Sequence, residues 1–224
     1  MTTSNESKTV GLVAQPLALR IPAMAISIVF HPLFIPVIAI TYLAYIQQGV
    51  FTGIPDRDKD LIIARVAVNT VFFPLVTVLL LKGVGFIKSV FLRTRRERII
   101  PYVATNIFYF WIFMVFKNQP YIPAHATSFI LGVFLASSAG LVLNSFFKIS
   151  MHTLGMGTLT GFLLLFILTG FPGSTFMPFM VLILVSGLVG TSRMILSDHT
   201  LFDLGSGFLV GIVSQVLAAY IFFS

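Results

Sequence analysis

The sequence predicts an all-α protein, a polytopic bundle of six to seven transmembrane helices, and three observations predict it. Of 224 residues, 57% are hydrophobic and only 9% are charged, against roughly 25% charged in ordinary soluble domains. The apolar residues fall in continuous runs, each approaching the ~20 residues that a helix needs to cross a hydrocarbon core. Those runs lack the alternation over about ten residues that strands of a membrane barrel would carry.

Taken in order, the runs cover residues 22–46, 61–81, 102–116, 126–147, 153–169, 176–195 and 201–223, separated by polar or Pro/Gly punctuation. The third and fifth are short, and the first holds His31-Pro32 and could be re-entrant, so six crossings compete with seven. Ahead of them, residues 1–21 read as a polar N-terminal tail and interfacial lead-in, and residues 22–224 as a single integral membrane domain. The tail lacks the charged, apolar and small-residue order of a signal peptide. With no cysteine in the chain, disulfides, thiolate metal sites and cysteine nucleophiles are excluded.

Polar residues beside hydrocarbon then stand out, because ionisable side chains in lipid mark functional sites by default. Ser192-Arg193 is followed after five residues by His199 and after three more by Asp203. On a helix, His199 and Asp203 share a face, so the carboxylate can reach an imidazole nitrogen and orient it. A planar guanidinium such as that of Arg193 suits a bidentate grip on phosphate oxygens. Two crossings earlier lie Lys148, Ser150 and His152, and two before those the run Arg93, Arg95, Arg96 and Arg98, closed by Pro101. With seven spans all three groups emerge on one membrane face and can converge.

These residues resemble the type 2 phosphatidic acid phosphatase superfamily over roughly residues 93–224. Its signature S-R-x5-H-x3-D is matched at Ser192, Arg193, His199 and Asp203. P-S-G-H is matched by Ile149-Ser150-Met151-His152, which keeps serine and histidine but not proline and glycine. K-x6-R-P has Pro101 preceded by Ile100, with Arg95, Arg96 and Arg98 earlier. The resemblance implies a six-helix lipid-phosphatase-like core and a two-step phosphoryl transfer. In that scheme His199 attacks phosphorus to give a phosphohistidine, Asp203 holds its other nitrogen, and His152 protonates the leaving group and then activates water. Arg193, Arg98, Arg95, Ser150 and Lys148 bind the phosphate, Arg98 being the preferred substitute for the missing family arginine. The implied partners are a membrane lipid substrate and the bilayer, with no nucleic acid and a possible homo-oligomer, in the bacterial inner (cell) membrane. No cofactor or metal is called for.

Competing readings attach to several of these residues. The arginine run also reads as a basic loop touching anionic headgroups. His31 reads as structural or interfacial, His125 equally as a solvated loop residue, and Asp198 as a helix start. His152, His199 and Asp203 could in principle hold zinc, but the neighbouring arginines favour an anion over a divalent cation. A catalytically silent relative that binds or transports an anionic lipid is the alternative function. Gly155, Gly157, Gly161, Gly187, Gly190, Gly205, Gly207 and Gly211 read as small residues that let helix backbones approach, or alternatively as a dimer face. Once the proposed ligands and their neighbours are discounted, lysine and arginine divide evenly between the two faces, so charge assigns neither.

Overall fold

The computed structural model describes residues 15–47, 49–87, 95–171, 173, 175–196 and 199–224. Among these, nine α-helices form: α1 (Leu17–Val29), α2 (Ile35–Tyr45), α3 (Asp56–Ala67), α4 (Phe73–Gly83), α5 (Arg95–Lys117), α6 (Ala124–Asn144), α7 (Met151–Leu168), α8 (Phe176–Leu196) and α9 (Leu201–Phe223). The chain is 81% helical without strands among the described residues. Seven helical stretches there are long and apolar enough to cross a membrane, with α1–α2 and α3–α4 each counting as one. The protein is an all-α polytopic bundle.

Two stretches are interrupted, each beside a proline. The residue before proline is driven out of the helical region, and His31, ahead of Pro32, adopts φ −65° and ψ 139°. A short 3-10 turn, Pro32–Phe34, then leads into α2. The break lets the two halves choose different neighbours: α1 packs on α8, whereas α2 packs on α3, α6 and α7. Between α3 and α4 a π-type turn spans Val68–Phe72, with Pro74 next to it at the start of α4, where its missing N–H is least costly. The two irregular segments meet, since the Thr70 hydroxyl donates to the Leu33 carbonyl at 3.4 Å.

Helix α5 begins at Arg95, well before the apolar run at 102, and continues through Pro101. Arginine and glutamate are good helix formers, so apolar length locates a membrane crossing rather than a helix start.

The closest seam joins α7 to α9. A methyl group added at Gly157 would run into the Phe208 backbone, and one at Gly211 into the backbone of Leu154. At Gly161 it would come within 2.8 Å of Ile212 Cα, and at Gly207 within 2.7 Å of the Ser150 carbonyl oxygen. In lipid, where apolar burial does not itself draw helices together, such backbone approach is a main source of association. Gly187, Gly190 and Gly205 meet nothing within 4 Å among the described residues, so they do not serve backbone approach within the chain. The seam fixes the register of two parallel helices whose N-termini lie side by side: the Ser150 N–H donates to the Asp203 carbonyl at 3.2 Å.

At the other end of the bundle, Gln47 accepts hydrogen bonds from Tyr42 Oη at 2.7 Å and Thr175 Oγ1 at 3.2 Å. Arg65 donates there to Gln119 at 2.9 Å and to Tyr121 at 2.7 Å. His125 does not lie in a solvated loop. It sits in α6 against the rings of Phe166, Phe171 and Phe223, with centroids 4.7–5.3 Å away.

Candidate active site

The hub of the site is the backbone of Lys148-Ile149-Ser150, which leads into α7. It belongs to one of the three separated sequence groups, and the other two fasten to it. His199 Nδ1 lies 3.1 Å from the Lys148 carbonyl oxygen. Arg98 Nη1 donates to the Ile149 carbonyl at 3.3 Å. Ser150 N–H bonds Asp203, as above. Ile149 is fully buried in a small cluster with Ala136 and Leu154, so the hub is anchored by packing as well.

The His199 contact fixes the state of the imidazole. A carbonyl oxygen only accepts, so Nδ1 carries the proton and the Nε2 lone pair is left for other chemistry. Burial, reinforced by the nearby Arg98, Arg193 and Lys148 charges, pushes the His199 pKa down to about 4, with Asp203 pulling the other way. At neutral pH the ring is therefore neutral, the form in which imidazole is a nucleophile.

Asp203 differs from expectation. Its Oδ2 is 3.8 Å from His199 Nδ1, beyond hydrogen-bonding range, so the pair is an electrostatic contact. The same oxygen accepts from the Thr200 N–H at 2.8 Å, while Thr200 Oγ1 accepts from the Asp203 N–H at 3.2 Å. This reciprocal capping box starts α9. Backbone donors at a helix N-terminus are unsatisfied by the helix itself, and at the third position they lie closer to the carboxylate than the imidazole does. Orientation of His199 thus falls to the Lys148 carbonyl.

Ser150 also has a structural role. It is fully buried and caps α7, its Oγ accepting from the Thr153 N–H at 3.5 Å. Its hydroxyl proton remains available, but the side chain is not an open phosphate ligand.

Two of the expected arginines, Arg98 and Arg193, act on each other and on His199. Arg98 is buried in spite of its charge, and its guanidinium acts electrostatically on Asp203 and His199. Arg193, from the last turn of α8, acts on Arg98 and on His31, His152 and His199. Such crowding of like charge is costly unless an anion or carboxylate compensates it. The N-termini of α7 and α9 add positive dipole ends at the same place. Arg95 opens α5, but its side chain, like Arg93 and Asp198, lies outside the described residues.

His152 enters from the first turn of α7, its Nε2 3.0 Å from the Ser27 carbonyl of α1. By the same rule Nε2 carries the proton and Nδ1 is the acceptor. Its ring meets that of His31 edge to face, with centroids 5.3 Å apart. From sequence His31 reads as structural or interfacial, since it belongs to none of the three groups; the structure sets it beside His152. Its one sequence signal is a His-Pro pair interrupting an apolar run. Comparison of the chain with protein families, with curated proteins and with solved structures finds no match.

Proposed function

We propose that this chain is a membrane-embedded, metal-independent phosphatase or phosphotransferase. It would act on a lipid phosphate or a polyprenyl diphosphate through a phosphohistidine, in the manner of type 2 phosphatidic acid phosphatases, in a bacterial inner membrane. One observation carries the reading: His199 holds its proton on Nδ1 against the Lys148 carbonyl, leaving a neutral Nε2 in a ring on which the charges of Arg98 and Arg193 act. A nucleophilic lone pair beside two guanidinium charges suits an anionic electrophile.

The steps follow from the protonation states. His152 takes up a proton on Nδ1 as the anionic substrate binds; His199 Nε2 then forms a bond to phosphorus as the bond to the leaving lipid oxygen breaks, and that oxygen takes the proton from His152 Nδ1. Water then gives a proton back to Nδ1 and attacks the phosphohistidine, breaking the P–N bond and releasing phosphate. A lipid hydroxyl in place of water makes the reaction a transfer. Arg98 and Arg193 neutralise the equatorial oxygens, where electrostatics and positioning supply most of the catalysis in phosphoryl transfer. Asp203 stabilises the imidazolium from 3.8 Å. The two arginines oppose a divalent cation at this place, which supports the metal-independent reading.

The second reading, a silent relative that binds or transports an anionic lipid, is favoured by the capping duties of Ser150 and Asp203. One assay separates them. The purified protein should release phosphate from at least one of phosphatidic acid, phosphatidylglycerol phosphate or a polyprenyl diphosphate, and His199→Ala should abolish it. No release, or release that survives the substitution, leaves the binding reading.

A further inference from the structure

We propose that the His31-Pro32 break in the first apolar stretch is a working part of the site, a device that holds His152 and fixes which nitrogen it uses. The chemistry begins with proline. Pro32 has no N–H and forces His31 into an extended conformation, observed as ψ 139°. Consequently α1 ends, and the His31 N–H goes to the Ile28 carbonyl at 3.2 Å rather than to Ser27 in the helical manner. The Ser27 carbonyl, one of the orphans at a helix C-terminus, is satisfied from outside by His152 Nε2 at 3.0 Å.

The same break presents the His31 ring. Its Nδ1 accepts from the Leu33 N–H at 3.4 Å, capping the 3-10 turn and placing the ring proton on Nε2. The ring then abuts His152 edge to face. Two groups four residues apart thus grip one imidazole from two sides, a carbonyl fixing its proton and a ring its plane. The result is that His152 exchanges protons through Nδ1 alone. His31 and Pro32 are positioning residues, acting through His152, and their consequence for turnover rests on the phosphatase reading, whereas the tautomer does not.

The test is ring ¹⁵N NMR of histidine-labelled protein in lipid nanodiscs above pH 7.5, with the four histidines assigned by substitution. Wild-type His152 should show the neutral form protonated at Nε2, with a bare Nδ1. Pro32→Ala, which restores an N–H and lets the helix continue, should convert His152 to a mixture of tautomers and lower kcat about tenfold or more with KM within twofold. His31→Asn, which keeps an acceptor for the Leu33 N–H, should fold and retain the Nε2–H form, yet lower kcat because the ring is gone. A wild-type His152 protonated at Nδ1, a Pro32→Ala spectrum identical to wild type, or full kcat in both variants would overturn the proposal. If no lipid phosphate is hydrolysed but the tautomer signature is present and sensitive to Pro32, the positioning device stands and the phosphatase reading falls.

Discussion

At the scale of residues, His199 is defined by what compresses its basicity. Because its folded value lies near 4 and the ordinary value is 6.5, the unfolded chain takes up a proton first as pH falls. This residue therefore weakens the fold progressively between about 6.5 and about 4, and leaves stability unaffected above that window. An NMR titration should find its midpoint near 4 in the empty protein. Phosphate bound in the cradle offsets the arginine charges, so its presence should raise the midpoint. A midpoint at or above 6.5 without ligand would contradict the proposed electrostatics. Asp203 allows its two roles to be separated. Asp203→Asn keeps an acceptor for Thr200 and should cost little stability, whereas Asp203→Ala loses the cap and should cost about 1 kcal/mol. Both should lose at least tenfold in kcat if the charge at 3.8 Å steadies the imidazolium, since that interaction exceeds ~1 kcal/mol at protein dielectric. Thermal unfolding and steady-state kinetics on the pair check this directly.

Elements explain why separated residues converge. The α7–α9 seam is held by glycines with backbone on the far side, so small additions there have large effects. Gly211→Ala should lower stability by about 1–3 kcal/mol through overpacking, while Gly187→Ala, which meets nothing within 4 Å, should be neutral or slightly stabilising. Equal effects of the two on thermal inactivation would refute the seam. The helices themselves were legible because apolar length is a local property of sequence. The partner of His199 was not. Spacing of four residues pointed to Asp203, but only the packed structure reveals that the Lys148 carbonyl lies closer and that the carboxylate is occupied by the start of its own helix. Likewise, a list of glycines does not say which face a neighbour covers. His31 was read as structural or interfacial, and its contact with His152 was not legible for the same reason: it depends on a carbonyl freed by a helix break and on a ring from another helix.

For the whole molecule, the arrangement separates a reactive end from a structural one. Arg98, Lys148, His152, Arg193 and His199 gather at the N-termini of α7 and α9, whereas Gln47, Arg65, His125 and Thr175 lie at the far end. Since the native chain has no cysteine, single cysteines at Phe146 and Asn118, which flank α6, should be labelled by an impermeant maleimide from opposite sides of the membrane. Labelling of both from one side would remove the shared face on which the site depends. Trapping the covalent intermediate tests the nucleophilic role of His199 most directly. Rapid quenching of the protein with ³²P-labelled lipid phosphate in alkali, followed by peptide mapping, should recover an acid-labile, alkali-stable phosphate on His199, absent from His199→Ala. Label on another residue, label that persists in His199→Ala, or turnover with no covalent phosphate would contradict the account.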